Sequence, residues 1–243
     1  VMTVLYAFDP DEEGVPLSVL VRRTGLPKGT LHRVLGELVH VRLVERVTNG
    51  YRLGGALYEL GLRASAERRL REIAMPFLQD LYERTHETVH LAVREGVEVV
   101  YIEKIGGHRQ ARTPSRVGGR MPLHSTALGK ALLANAPDAV FEQRVGAGLA
   151  RLTPHTVTAP GLLRRQLATI AQTGIAFEHE ESAIGVSCVA AAVLGPGEEP
   201  IAAVSVSGLT GRFRPQDHAN FVRAVAGGIA ATLARRASLL ADG

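Results

Sequence analysis

Apolar residues follow two rhythms along this chain. Over roughly the first ninety residues they recur at helical spacing; beyond that, runs alternating every second residue take turns with helical ones. "VMTVLYAF" predicts a first helix and "DPDEEGVP" a loop. Ser18 suits the N-cap of a short helix carrying Leu20 and Val21, closed at Thr24, with Gly25 placed to take left-handed dihedrals. Pro27 suits the first position of the next helix. Its Leu31, Val34, Leu35, Leu38 and Val41 share one face and leave Lys28, Gly29, Thr30, His32, Arg33 and Gly36 outward. In "LVERVTNGYRLG", short alternating strands flank Asn49-Gly50, a strong two-residue hairpin signal. Leu57, Leu60 and Ala64, then Leu70, Ile73, Phe77 and Leu81, predict two helices with a break near Ala66 to Arg69.

The second rhythm begins at Thr88. "TVHLAVR" and "VEVVYIEKI" predict two strands around a Glu95-Gly96 turn, followed by a Gly/Arg/Pro loop from Gly106 to Arg120. Helices are expected near Thr126 to Ala134, Pro137 to Val145 and Gly161 to Thr173. Strands follow near Ile175 to Glu178, Val186 to Leu194 and Ile201 to Val206, and a last helix starts at Pro215. Strands broken by helices without regular β-α-β alternation predict an α+β domain.

Composition changes the picture only modestly. With 46% hydrophobic and 21% charged residues and no long apolar run, the 243-residue chain reads as globular, with no membrane span expected. A single cysteine, Cys188, excludes an intramolecular disulfide and suggests a reducing compartment such as the bacterial cytoplasm. The formal charge is +4. More telling is where it sits: between Arg22 and Arg52 the basic residues Arg22, Arg23, Lys28, Arg33, Arg42, Arg46 and Arg52 face only Glu37 and Glu45.

Two short helices joined by a glycine-containing turn, with basic and hydroxyl residues opening the second, match a helix-turn-helix. Lys28 and Arg33 would reach phosphate or guanine, Thr30 and His32 base edges or backbone, and Gly29 would allow close approach. Arg46 and Arg52, on either side of the Asn49 turn, make the hairpin a wing that grips flanking phosphates. Each arginine alone is ordinarily a solvated surface charge; the order helix, helix, wing is what argues for nucleic acid. One recognition helix reads only a few base pairs, so a palindromic operator and a homodimer or dimer of dimers are expected.

"PLSVLVRRTGLPKGTLHRVLGELVHVRLVERVTNGYRLG" resembles the winged helix-turn-helix of the isocitrate lyase regulator (IclR) family of bacterial transcription factors. "VGGRMPLHSTALGKALLA", "TGIAFEHEESAIGVSCVAAAV" and "AAVSVSG" are similar, in order, to blocks of that family's effector-binding domain. The resemblance implies a winged helix-turn-helix over 1–54, a linker helix over 55–69, and a GAF-like α+β effector-binding and oligomerisation domain over 70–243. It also implies a small organic acid effector surrounded by Met121, Ala127, Leu128, Glu178, Val186, Cys188, Ser205 and Ser207, no cofactor, and most often repression. Two positions depart from the family's habit: Gly29 stands where a hydroxyl residue is common, and Glu178 where aspartate is common. Independently of the resemblance, "PLHSTALGK" opens a helix whose free N–H groups and dipole favour an anion, and Ser205 and Ser207 point to one face of a strand.

Enzymatic readings compete with this one. "HETVH" at residues 86 to 90 has the H-E-x-x-H spacing of a zinc protease, but Thr88 and Val89 favour a strand, which would separate the two histidines by roughly 13 Å. Ser205 or Cys188 as nucleophile, with His124 or His179 as base, lacks a nucleophile-elbow signature. A metal held by His124, His179, Glu178 and Cys188 would need ligands dispersed along the chain. None of these accounts for the first sixty residues.

Overall fold

A computed structural model describes residues 1–9, 12–106 and 113–241. Two compact units meet within the first turn of helix α5 (Ser65–Thr85): Val1–Arg68 and Arg69–Gly243. Part of the "DPDEEGVP" loop and residues 107–112 of the expected Gly106 to Arg120 loop lie outside the described residues.

The first unit contains α1 (Met2–Leu5), α2 (Leu17–Thr24), α3 (Lys28–His40), the strands β1 (Val44–Val47) and β2 (Gly50–Leu53), and α4 (Ala56–Gly61). Gly25 takes the expected left-handed conformation, with φ of 67°, and turns the chain between α2 and α3. Leu20, Leu31, Leu35 and Leu38 close a core with Val4, Phe8, Val15, Val44 and Tyr51.

Local expectations shift here in five ways. Ser18 is no cap: Pro16 holds that position, no side chain caps the helix, and Ser18 lies inside its first turn. Pro27 caps α3 from outside rather than opening it. Val41 leaves the apolar stripe, because the chain unwinds there and exposes it. The hairpin turns on Thr48 and Asn49, since Val47 pairs with Gly50. Gly50 is a strand residue with φ of 132°, and a Cβ on it would come within 2.2 Å of the Val15 carbonyl oxygen. That crowding arises because Val15 forms an isolated antiparallel bridge with Tyr51, a tertiary contact that the dipeptide rule cannot see. Lastly, the break between the linking helices falls at Leu62 to Ala64, ahead of the expected Ala66 to Arg69.

The second unit is an α+β domain built on a six-stranded, wholly antiparallel sheet in the order β5-β4-β3-β8-β7-β6. The strands are β3 (Thr88–Glu95), β4 (Glu98–Ile105), β5 (Arg120–Pro122), β6 (Ala176–His179), β7 (Val186–Leu194) and β8 (Pro200–Leu209). Between them run α6 (Ala127–Ala134), α7 (Asp138–Gly146) and α8 (Pro160–Thr173), and α9 (Pro215–Ala241) closes the unit. The β3–β4 turn sits on Gly96 and Val97, one residue beyond expectation. Two strand groups, β3 to β5 and β6 to β8, join where β3 pairs with β8.

Each face of the sheet carries its own core. Leu91, Val189, Ala191, Val204 and Val206 pack with residues of α5 and α9 such as Leu78 and Ile229. Ala92, Ala176, Ala190 and Ala203 pack on the opposite side with α6 and α8. Burial on both faces explains why β7 and β8 read as almost continuous apolar runs rather than strict alternation. Small side chains let α6 lie close; a Cβ at Gly129 would stand 2.3 Å from the Leu123 carbonyl oxygen in the preceding turn.

Candidate functional site

At the start of α3, Lys28, Gly29, Thr30, His32 and Arg33 are all exposed. Among the described residues, no side-chain hydrogen bond or ion pair occupies Lys28, Thr30, His32 or Arg33, so their donors are presented outward. A Cβ at Gly29 would meet nothing within 4 Å, so packing within the chain does not require glycine there. On the hairpin, Asn49 lies in the turn between β1 and β2. The two wing arginines differ from expectation in not being free. Arg52 donates from Nε and Nη2 to Glu45 at 2.9 and 2.8 Å and holds that carboxyl below its usual range. Arg46 hydrogen-bonds the Tyr51 hydroxyl at 3.0 Å and lies over its ring. Arg23 and Arg42 are likewise paired, with Glu12 and Glu59. The cations of this segment without an ion pair among the described residues are Arg22, Lys28, Arg33 and Arg46, which concentrates the unpaired charge on α2, α3 and one strand of the hairpin.

The other site is a cavity on the α6 side of the large sheet. Strand register builds its floor: Glu178 pairs with Cys188, Cys188 with Ser207, and Ser207 with Thr88, a polar row across four strands. Two residues along, Ser205 pairs with His90. Met121, Ala127, Leu128, Glu178, Val186, Cys188, Ser205 and Ser207, separated by up to 86 positions in sequence, all line this one space. His90, Tyr101, Thr113, Ser115, Thr126 and Ser182 line it too and were missed by sequence reasoning. His90 had a signal, its place inside an alternating strand, but attention to H-E-x-x-H assigned it to the wrong question. The space among the lining residues is about 330 Å³, part of it open to solvent.

Burial shifts the titratable groups of the cavity towards their neutral forms. Glu178 is 1% exposed; Oε1 accepts from the Glu181 and Ser182 N–H groups at 2.5 and 2.9 Å, while Oε2 has no partner among the described residues. Burial raises the pKa of its carboxyl, outweighing those hydrogen bonds. Burial also raises Cys188, whose thiol donates to Ser207 Oγ at 2.9 Å, and lowers His90 to about 3. Behind Glu178, the buried Lys130 ammonium pairs with Glu181 at 2.5 Å. At the mouth of α6, Thr126 caps the helix by accepting from the Gly129 N–H at 3.0 Å. The anion-attracting feature expected of "PLHSTALGK" thus reduces to the first turn of α6, where Ala127 and Leu128 line the cavity and first-turn N–H groups have no intrahelical acceptor.

The structure separates the enzymatic constellations. His86 follows the end of α5 with φ of 50°, and His90 lies in β3 with both ring nitrogens against hydroxyls, so H-E-x-x-H does not share a helix. Glu178 and His179 are neighbours on β6 and face opposite sides; His179 Nδ1 binds Ser187 Oγ at 2.8 Å. His124 is buried against the Ala150 carbonyl, at 3.0 Å, and does not line the cavity. Neither histidine stands beside Cys188 as a base, which removes the hydrolytic and metal-binding alternatives built on His124, His179 and Cys188.

Comparison with known proteins agrees. The family model described as the bacterial transcriptional regulator IclR C-terminal domain matches residues 63–231, and the IclR helix-turn-helix domain matches residues 1–48. The chain is 36% identical over 223 residues to the HTH-type transcriptional regulator XynR of Escherichia coli, spanning 90% of this chain and 88% of that one. It is 32% identical over 204 residues to the transcriptional repressor IclR of Escherichia coli, covering 82% and 74% respectively. Among solved structures, an IclR homolog from Microbacterium hydrocarbonoxydans complexed with 4-hydroxybenzoate is similar with a TM-score of 0.87 and 34% identity, over 95% of each chain.

Proposed function

The chain belongs to the IclR family of bacterial transcriptional regulators, and from that premise we propose that it is a repressor whose operator affinity is set by a small carboxylate held in the α6 cavity. Its place in the family makes it a DNA-binding regulator with a C-terminal ligand-binding domain, not an enzyme. The observation that carries the finer reading is the direction of the cavity's donors. The Cys188 thiol donates to Ser207 Oγ, which leaves the Ser207 hydrogen for a guest. Ser205 and the first-turn residues Ala127 and Leu128 of α6 also line the cavity and carry further donors. A carboxylate matches that set, and burial, which raises the Glu178 pKa, lessens the repulsion Glu178 would exert on such a guest. An aromatic acid fits the apolar part of the lining, Met121, Leu128 and Val186, and the similar Microbacterium protein is complexed with one.

On the DNA side, Lys28, Gly29, Thr30, His32 and Arg33 are the reading face, with Arg46, Asn49 and Arg52 on the wing. A homodimer or dimer of dimers on a palindromic operator is the corresponding assembly. Exposed apolar residues in the first unit support self-association: Tyr58, Leu60 and Leu62 lie in and beside α4, which buries none of its residues. Among the described residues no helix is long and apolar enough to cross a membrane. Access to chromosomal DNA places the protein in the cytoplasm.

The test titrates 4-hydroxybenzoate and other small organic acids into the protein bound to DNA fragments that it has itself retained. Ser205→Ala with Ser207→Ala should weaken the effective acid roughly 5- to 150-fold, from two hydrogen bonds of about 0.5–1.5 kcal/mol each, and leave ligand-free operator affinity unchanged. Equal sensitivity of wild type and double variant to that acid would refute the site; tighter DNA binding on adding it would refute repression with release.

A further inference from the structure

A line of hydrogen bonds enters the cavity from outside. Lys104 on β4 donates from Nζ to Thr113 Oγ1 at 2.9 Å and to the Ser115 carbonyl at 2.7 Å. Thr113 Oγ1 lies 2.6 Å from Ser115 Oγ, Ser115 Oγ 2.7 Å from His90 Nε2, and His90 Nδ1 3.4 Å from Ser205 Oγ. Lys104 does not itself line the cavity; the other four residues do.

An ammonium can only donate. Thr113 oxygen accepts from it, which leaves the Thr113 hydrogen for Ser115, and the Ser115 hydrogen for Nε2. Nε2 is then the acceptor of a neutral ring, the ring proton sits on Nδ1, and Nδ1–H donates to Ser205 Oγ. The hydrogen of Ser205 is left for the cavity. Reversing the line would load the Thr113 oxygen with two donors and leave its hydrogen with no acceptor among the described residues. It would also turn each hydroxyl dipole against the Lys104 charge. The ring is neutral as this requires, because burial first, and the Lys104 charge second, hold its pKa near 3.

We infer that Lys104 is a positioning residue that fixes Ser205 as a hydrogen-bond donor into the cavity, so that the effector must present an acceptor oxygen there. This rests on the reading of the cavity as the effector site and deepens it: the preference for an oxygen acceptor over an ammonium or other pure donor is set by a residue that never touches the ligand.

The full chain labelled with ¹⁵N-histidine tests it near neutral pH, with the His90 ring signals identified by their loss in His90→Gln. Wild type should show the Nδ1–H tautomer. Lys104→Met keeps the aliphatic stem and removes the donor; Ser115→Ala cuts the line while keeping the charge. Each should move His90 towards the Nε2–H form. An Nε2–H ring in wild type, or an unchanged Nδ1–H ring in the folded variants, overturns the inference, and Ser115→Ala decides alone if Lys104→Met does not fold. A second arm measures benzoate binding by calorimetry, with Lys104→Met expected to lose roughly three- to tenfold, the worth of one neutral hydrogen bond. Failure of benzoate and related acids to bind, with the wild-type ring as Nδ1–H, would sink the effector class and leave the role of Lys104 standing. Benzoate binding with an Nε2–H ring would do the reverse.

Discussion

The start of α3 and the α6 cavity are both polar, and they are built in opposite ways. On α3 the side chains of Lys28, Thr30, His32 and Arg33 are solvated and engage no partner among the described residues. In the cavity, Ser205, Ser207, His90 and one oxygen of Glu178 are buried, Cys188 is half-buried, and all are bonded to one another or to backbone. Solvated groups cost the fold nothing and can be given to a partner. Buried groups must be satisfied before any ligand arrives, since an unsatisfied one costs about 1–3 kcal/mol. Substitutions on the first surface should therefore change DNA affinity with little effect on folding, and those in or behind the cavity should change folding itself.

The sharpest test lies behind the cavity. Lys130→Ala leaves Glu181 as an uncompensated buried carboxylate and should cost about 3–5 kcal/mol in urea unfolding of the full chain. A loss below about 1 kcal/mol would mean that water reaches the pair and that the contrast between the sites is overstated. On the other surface, Arg33→Ala should weaken operator binding by roughly 1–3 kcal/mol if it contacts a base edge, with an unchanged urea midpoint. A shifted midpoint would show Arg33 to be structural.

Acid sharpens the contrast next. His90 has a folded pKa near 3 against about 6.5 when unfolded, so the unfolded chain binds the extra proton between those values. Its contribution to stability is complete above about pH 6.5 and is lost towards pH 3, at about 1.4 kcal/mol per pH unit. The buried Glu178 runs the other way: its raised pKa makes the folded state the better proton binder just above the ordinary carboxylate range, so that contribution fades as pH rises through it. His90→Gln should therefore flatten the decline in stability between pH 6.5 and 5, measured by thermal melts across that range; an equal slope in both proteins would contradict the burial argument.

The smallest effect belongs to the wing. Arg52→Ala should weaken binding to all DNA sequences alike by under about 1 kcal/mol and flatten the salt dependence, because Arg52 must first leave Glu45. Glu45→Ala should release Arg52 and tighten binding slightly at low salt. No change in either variant would remove Arg52 from the DNA surface.

Read from the chain alone, the recognition helix was legible because its information is local. Leu31, Leu35 and Leu38 at helical spacing define which side is inward, and the remaining positions point outward by default. The cavity was legible only in part. Two-residue periodicity put Ser205 and Ser207 on one face, but their joining with Glu178, Cys188 and Leu128 came from family resemblance. Periodicity says nothing about which strand lies alongside which.

By itself the sequence determined the helix faces, the strand runs, the left-handed glycine at Gly25 and the early basic block, all set by interactions within a few residues. Tertiary structure alone decided that β3 pairs with β8, which puts His90 opposite Ser205, and that Val15 bridges Tyr51, which leaves no room for a side chain at Gly50. It also decided that Glu45 occupies Arg52 and that Lys104 reaches the Thr113 to Ser115 segment. The physical reason is common to all four. Hydrogen bonds and ion pairs between separate elements depend on register and close approach, and many pairings satisfy the same local pattern until packing selects one.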